Sequence, residues 1–282
     1  MKTVSENKSI GGVQGVYSHA SAACACDMTF AVYVPEHEAG TKLPVLWYLS
    51  GLTCTHANVM EKGEYRAACA EHGIIFVAPD TSPRGDDVPD DADAYDFGKG
   101  AGYYVDATQQ PWSKHYRMRS YIEDELPALV GEHFPADMNR QAVMGHSMGG
   151  HGALTIGLRN ADRFRSISAL APITNPSAVE WGRKALSRYL GDDEALWAEY
   201  DAVRLIEQGA RHDHLLVDQG TSDEFKDEHL KPGHLALAVK KAGMNAQIRM
   251  QDGYDHSYYF ISTFMAEHIA FHAQHLRPNP AD

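Results

Sequence analysis

A serine stands between glycines at the end of a short apolar run. The segment Gly145-His146-Ser147-Met148-Gly149 follows Ala142-Val143-Met144 directly. This pattern is typical of a nucleophile elbow, in which a strained backbone exposes the serine hydroxyl and small glycines let a strand and a helix cross closely. A single Gly-x-Ser-x-Gly also occurs in flexible turns, so the rest of the chain must decide. We predict that Ser147 is a nucleophile.

A serine nucleophile needs a base that takes its proton and an acid that orients the base. After a nucleophile elbow these residues follow in the order acid, then histidine. Asp223 comes after the strand-like run 214–217, and His256 precedes the last predicted helix. We therefore predict Asp223 as the orienting acid and His256 as the general base.

Two other aspartates compete with Asp223 for the acid role. Asp218 would lie within the strand itself, whereas Asp255 directly adjoins the predicted base His256. An acid that orients a histidine normally lies in a loop beyond the strand end. The position of Asp223 in the turn 219–223 therefore favours it over both.

An oxyanion hole is expected from two backbone N–H groups. In elbow enzymes one belongs to the residue after the nucleophile and the other to a loop after an early strand. These positions are Met148 and, in the loop Ser50-Gly51-Leu52-Thr53-Cys54, Leu52. Cys54 follows closely and is read either as a small packed residue or as a redox-sensitive thiol near the site.

Strands and helices that alternate along the chain predict how these residues are positioned. Apolar runs at 43–49, 74–78, 141–144, 167–170, 214–217 and 246–250 read as strands, and an earlier strand covers 28–34. Helices are expected at 58–72, 116–134, 148–159, 229–242 and 258–275. This alternation predicts one α/β domain over 1–282, with a mostly parallel central sheet and helices on both faces. The segment near 175–211 reads as a helical insertion, a candidate lid.

Composition excludes several kinds of partner. With 25 Lys and Arg against 38 Asp and Glu, the net charge is −13, which disfavours nucleic acid and anionic membranes. No long apolar run and no signal peptide are visible, so we expect a cytoplasmic protein. The aspartates of segment 80–96 lack the spacing of a calcium loop. We expect neither a metal nor an organic cofactor.

The ordered set of motifs resembles the S-formylglutathione hydrolase family, also called the esterase D family, of the α/β-hydrolase superfamily. The resemblance spans almost the whole chain and rests on Ser50–Thr55, Ala78–Gly85, Tyr95–Gly98, Tyr104–Thr108, Gly145–Ala153, Trp181-Gly182 and Asp218–Gly220. It implies hydrolysis of S-formylglutathione to glutathione and formate in formaldehyde detoxification, with side activity on short-chain esters. It also implies a homodimer, and it agrees with Ser147, Asp223 and His256.

Pocket residues and rival functions are less well defined by the sequence. Trp181, Tyr103, Tyr104 and Cys54 are candidates for the substrate pocket, although the aromatic residues could equally be core packing. A general short-chain carboxylesterase, or an acyltransferase of the same fold, is the first rival function. A binding protein of this fold without catalysis is the second, and it is disfavoured because all three triad positions are filled.

Overall fold

A nine-stranded sheet forms the centre of the protein. The computed structural model describes residues 1–278. The strands are β1 (Lys2–Lys8), β2 (Gly12–Ser21), β3 (Cys26–Pro35), β4 (Leu43–Leu49), β5 (Ile75–Pro79), β6 (Ala136–His146), β7 (Phe164–Leu170), β8 (Leu215–Gly220) and β9 (Ala246–Gln251). Strand β4 is apolar and buried along its whole length, as a strand covered on both faces should be.

The strand order is β1-β2-β3-β5-β4-β6-β7-β8-β9. Strands β1, β2 and β3 pair in antiparallel fashion and β3 joins β5 in the same way. All pairings from β5 through β4 to β9 are parallel. The predicted α/β fold with a mostly parallel sheet is thus confirmed.

Helices flank this sheet. They are α1 (His56–Lys62), α2 (Arg66–His72), α3 (Met118–Ser120), α4 (Leu126–His133), α5 (Met148–Arg159), α6 (Glu180–Leu190), α7 (Glu194–Trp197), α8 (Ala202–Glu207), α9 (Pro232–Ala242) and α10 (Tyr258–His275). Helix α5 packs on β6 and β7, and α10 packs on β7 and β8. Short 3₁₀ or π-helical turns lie at Trp112–Lys114, Tyr121–Glu125, Pro176–Ala178, Ala198–Tyr200 and Lys226–Leu230.

The single helix predicted over 58–72 is wrong. Two short helices, α1 and α2, occupy this stretch instead. Thr55 caps the start of α1, and Gly63 ends it. Glu64 then adopts a positive φ of 53°, which no helix can continue. The chain therefore turns between Lys62, the last residue of α1, and Arg66, the first residue of α2.

Two details of the N-terminal region are not evident from its local sequence pattern. The polar start forms the edge strand β1, whose seven residues are all exposed. Since neither face of β1 is buried, the strand has no hydrophobic alternation that could predict it. Cys24 lies in the turn between β2 and β3, whereas Cys26 is the first residue of β3. Ala25 between them has a φ of 49°, typical of such a turn.

A buried polar network ties helix α10 to the sheet. Asp218 on β8 accepts hydrogen bonds from Arg249 Nε on β9, at 2.6 Å, and from His268 on α10, at 3.2 Å. Ser168 on β7 lies 2.9 Å from His268 and 2.7 Å from His272. Burial opposes the charge of Asp218, but these hydrogen bonds outweigh it and lower its pKa to about 2.

Replacing the fully buried Asp218 with asparagine should destabilise the fold by about 2–3 kcal/mol at neutral pH, because Arg249 and His268 would lose the charged acceptor that they share. Glu267 would still pair with Arg249, at 2.9 Å. The folded-state pKa of Asp218 lies below the ordinary 3.8. Its stabilising charge is therefore fully present above about pH 4 and is lost as the pH falls toward 2. Urea unfolding at several pH values measures this, with exposed Asp213→Asn as control. Equal stability of the two variants at neutral pH would contradict the role of the network.

Candidate active site

The serine of the elbow has the strained backbone that its sequence predicts. Ser147 lies between β6 and α5 with φ 57° and ψ −119°. A Cβ on Gly149 would approach the Leu49 carbonyl oxygen to 1.9 Å, and one on Gly145 would meet the Gly149 oxygen at 2.2 Å. Only glycine fits at both positions, so the elbow depends on the two small residues beside the serine.

The structure brings Ser147, His256 and Asp223 into one hydrogen-bonded chain. His256 Nε2 lies 2.9 Å from Ser147 Oγ, and His256 Nδ1 lies 2.7 Å from Asp223 Oδ2. Asp223 follows β8, and His256 lies in the loop between β9 and α10. Gln219 Nε2 and the Phe225 N–H also donate to Asp223, each at 2.9 Å. These contacts hold the carboxylate in place, and the carboxylate in turn can hold the imidazole.

The two rival aspartates have other partners. Asp218 is part of the network beneath α10. Asp255 accepts hydrogen bonds from the N–H and hydroxyl of Ser257, at 3.0 and 2.7 Å. Of the three aspartates, Asp223 is therefore the one whose carboxylate meets the His256 ring.

The loop after β4 lies directly against the serine. A Cβ on Gly51 would be 3.1 Å from Ser147 Cβ, so a larger residue would crowd the nucleophile. The N–H groups of Leu52 and Met148 donate to no protein acceptor within the described residues. Met148 follows Ser147 in the chain and Leu52 follows Gly51, so both free amides are candidates for an oxyanion hole.

Tyr103 and Tyr104, two of the candidate pocket residues, do not line the pocket, and the alternative of core packing holds for both. Both side chains are completely buried. The Tyr104 hydroxyl donates to the Ser50 carbonyl at 2.8 Å, so this ring supports the Gly51 loop from below. Tyr103 packs near His151, whose Nε2 lies 3.0 Å from the Tyr103 carbonyl. Both tyrosines belong to the core that positions the site.

A cavity of about 320 Å³ opens above Ser147. It is lined by Gly51, Leu52, Thr53, Cys54, Asn58, Tyr95, His146, Ser147, Trp181, Phe225, His256, Ser257 and Tyr258. Trp181 and Cys54, two of the predicted pocket residues, are thus in the wall. Trp181 comes from α6 in the segment 175–211, which contains helices and no strand. Its ring packs 4.9 Å from that of Phe225.

Two neighbours of His256 were not predicted from the sequence. The rings of Phe225 and His256 are nearly perpendicular with their centres 5.0 Å apart, and the centre of the His146 ring lies 4.5 Å from that of His256. Burial, followed by the charge of His256, holds the pKa of His146 well below its usual range. His146 is therefore neutral and does not compete for the proton. Its place next to Ser147 in the elbow was the available signal.

Cys54 lies half-buried in the cavity wall with a free thiol. Burial raises the pKa of this thiol, and the positive charges of Lys62 and Arg84 oppose that rise without cancelling it. The thiol form therefore dominates at neutral pH, and a thiolate nucleophile is disfavoured.

Within residues 1–278, no group of three or more His, Cys, Asp or Glu side chains is arranged to hold a metal ion. None of the helices in this range combines the length and the apolarity needed to cross a membrane.

Sheet topology and site geometry are those of an esterase with the α/β-hydrolase fold. A family model described as "Putative esterase" matches residues 21–271, which is most of the chain. The class of the protein is therefore established.

Closer relatives define the family within this class. S-formylglutathione hydrolase of Paracoccus denitrificans is 52% identical over 98% of both chains. The mouse enzyme of the same name is 48% identical over 98% of this chain and 99% of its own. A solved S-formylglutathione hydrolase from Agrobacterium tumefaciens superposes with a TM-score of 0.97 at 56% identity, covering 98% of this chain and all of that one. The chain belongs to the S-formylglutathione hydrolase family.

Proposed function

We propose that this protein hydrolyses S-formylglutathione to glutathione and formate, as a step of formaldehyde detoxification. The observation that carries the proposal is the hydrogen-bonded chain Ser147–His256–Asp223 at the floor of an open cavity. Relatives of nearly equal length that are named for this reaction support the choice of substrate. Ser147, His256 and Asp223 are the proposed catalytic residues.

The first half of the reaction forms a formyl-serine. His256 Nε2 takes the proton of Ser147 Oγ as the oxygen attacks the formyl carbon. The negative charge that develops on the carbonyl oxygen is stabilised by the N–H groups of Leu52 and Met148. When the carbon–sulfur bond breaks, His256 gives its proton to the glutathione sulfur, and the formyl group stays on Ser147.

The second half returns the enzyme to its starting state. Water enters after glutathione leaves, and His256 takes one of its protons as the oxygen attacks the formyl carbon. The same two amides stabilise the second oxyanion. The bond to Ser147 then breaks, His256 returns the proton to Oγ, and formate departs. Asp223 holds the imidazole tautomer and stabilises its cation throughout.

The direct experiment is incubation of the purified protein with S-formylglutathione while free thiol and formate are both measured. We expect one thiol and one formate for each thioester consumed, without added metal or cofactor. Release of neither product above the uncatalysed rate would exclude the proposed function. Hydrolysis of p-nitrophenyl acetate in the same preparation would show that the protein is folded and active.

The size of the acyl group should limit the reaction. A formyl group is very small, and the cavity of about 320 Å³ must also admit part of the leaving group. The rings of Trp181 and Phe225 form one wall of it. We expect kcat/KM for p-nitrophenyl esters to fall by at least about tenfold from acetyl to octanoyl, because the longer chain is not buried. Faster turnover of the octanoyl ester would contradict a shallow acyl pocket.

We further propose that the chain forms one domain in which the helical insertion 175–211 supplies a wall of the pocket. Trp181 supports this, since it comes from that segment and lines the cavity.

A cytoplasmic location is proposed because all four cysteines are free and reduced glutathione is a product. The proposed homodimer rests on the family resemblance, and light scattering of the purified protein tests it.

A further inference from the structure

A second hollow adjoins the active-site cavity. It has a volume of about 590 Å³ and is lined by Lys62, Glu64, Ser257, Tyr258, Tyr259 and Ser262. Ser257 and Tyr258 also line the cavity above Ser147, so the two spaces meet at these residues. The formyl end of the proposed substrate is small, whereas its tripeptide must extend away from Ser147. The second hollow offers space for that extension.

Lys62 supplies positive charge at this hollow. It is the last residue of α1, is exposed, and its ammonium lies 5.9 Å from the centre of the Tyr258 ring. Across residues 1–278, no carboxylate lies within ion-pair distance of Lys62. Arg84, the other cation near Cys54, is already paired with Asp80 at 2.9 Å. The ammonium of Lys62 is therefore available to a ligand.

The charge of Lys62 also acts on the active-site cavity. It opposes the rise that burial causes in the pKa of the Cys54 thiol, and Cys54 lies in the cavity wall. The centre of the His256 ring lies 4.5 Å from that of the His146 ring, which in turn lies 6.5 Å from the centre of the Tyr258 ring. The Lys62 ammonium lies 5.9 Å beyond. The His256 ring centre and the Lys62 ammonium are therefore no farther apart than these three steps together.

Glutathione is an anionic tripeptide, and the protein as a whole carries −13. Whole-molecule attraction cannot bind such a ligand, so a local cation is required. Glu64, two residues after Lys62, lines the same hollow and presents a negative charge. The γ-glutamyl end of glutathione carries both a carboxylate and an ammonium group. Lys62 complements the carboxylate, and Glu64 complements the ammonium.

We propose that Lys62 binds a carboxylate of the glutathione moiety, and that the hollow between Lys62 and Tyr259 holds the γ-glutamyl end while the formyl carbon lies at Ser147. This inference rests on the proposed function, because it assigns the part of that substrate which does not react. Lys62 is a binding residue that determines specificity and takes no part in the bond-making steps.

The test compares Lys62→Met with Lys62→Arg and with Lys240→Met. Lys240 is exposed on α9 and gives the same change in net charge at a distance from the site. In Lys62→Met, the KM for S-formylglutathione should rise about tenfold relative to the KM for neutral p-nitrophenyl acetate, with a much smaller change in kcat. Lys62→Arg should restore most of the affinity, and Lys240→Met should resemble the parent protein.

A second readout keeps the inference separate from the proposed function. S-methylglutathione, which cannot be hydrolysed, should inhibit p-nitrophenyl acetate hydrolysis competitively, about tenfold more weakly in Lys62→Met. An unchanged inhibition constant would overturn the role of Lys62, whatever the protein hydrolyses. Equal losses on the charged and the neutral substrate would also overturn it, because they would indicate a structural role. Failure of the parent protein to hydrolyse S-formylglutathione, with inhibition still dependent on Lys62, would reject the proposed function alone.

Discussion

Replacing Ser147 with alanine is expected to lower kcat for S-formylglutathione by at least about 10⁴-fold, because the variant lacks the hydroxyl that is hydrogen-bonded to the base His256. The KM should change little, since the walls of the cavity remain in place. Stability should also change little, because alanine and serine meet the same cost at a φ of 57°. The measurement is steady-state thiol release, with thermal unfolding as a check on the fold.

The matched control is Ser5→Ala on the exposed edge strand β1, which should retain full activity. A Ser147→Ala variant that is folded and keeps more than about a hundredth of the parent kcat would contradict the serine mechanism. In that case Cys54, the free thiol in the same cavity, would be the next nucleophile to remove.

Replacing Asp223 with asparagine should lower kcat for p-nitrophenyl acetate, as for S-formylglutathione, by about 10³- to 10⁴-fold. The carboxylate Oδ2 accepts from His256 Nδ1 at 2.7 Å, and this contact leaves Nε2 free to accept the Ser147 proton. An asparagine amide can donate to Nδ1 instead, which favours the tautomer whose Nε2 is already protonated. The pH dependence of kcat/KM for p-nitrophenyl acetate, measured for the parent and variant, reports this loss.

Asp255→Asn is the sharpest control for Asp223, because residue 255 adjoins His256 in the chain. Its carboxylate contacts Ser257, and an asparagine oxygen can still accept those hydrogen bonds. We expect its kcat to stay within about threefold of the parent value. Comparable losses in Asp255→Asn and Asp223→Asn would contradict the assignment of the acid.

Much of the fold could be predicted because local pattern and tertiary role agree. Strand β4 is apolar throughout and lies buried in the parallel part of the sheet. Helix α10 begins at Tyr258 and ends at His275, the bounds expected from its sequence. Its start follows from Ser257, whose hydroxyl accepts from the Tyr259 N–H as an N-cap. Signals of this kind are local, so the sequence alone is enough to recognise them.

The errors arise where tertiary contacts override a local pattern. The helical pattern of 58–72 is broken where Gly63 ends α1 and Glu64 takes a positive φ, and the φ at Glu64 is not evident from the sequence. Strand β1 has no buried face, and its existence depends on an edge of β2 that it can pair with. Tyr103 and Tyr104 each have a hydroxyl that a pocket residue could use to bind a ligand. The Tyr104 hydroxyl instead donates to the Ser50 carbonyl in the core. A sequence gives the chemistry of such a side chain but not the direction in which it points.

In the candidate site, too, some features can be read from the sequence and others depend on tertiary contacts. Ser147, Asp223 and His256 could be chosen from residue type and chain order, and the structure places them within hydrogen-bonding distance. The neutral His146 against His256, and the free charge of Lys62 beside a second hollow, depend on packing between distant segments. The position of His146 beside Ser147 is visible in the sequence, but its contact with the His256 ring and the free charge of Lys62 are not.

The most direct test of the central claim is the ratio of kcat/KM for S-formylglutathione to that for p-nitrophenyl acetate, both measured with the same preparation. A specific thioester hydrolase uses contacts with the whole tripeptide, so we predict a ratio of at least about 10² in favour of S-formylglutathione. A ratio near one, or a preference for the simple ester, would contradict this account and indicate a general short-chain carboxylesterase.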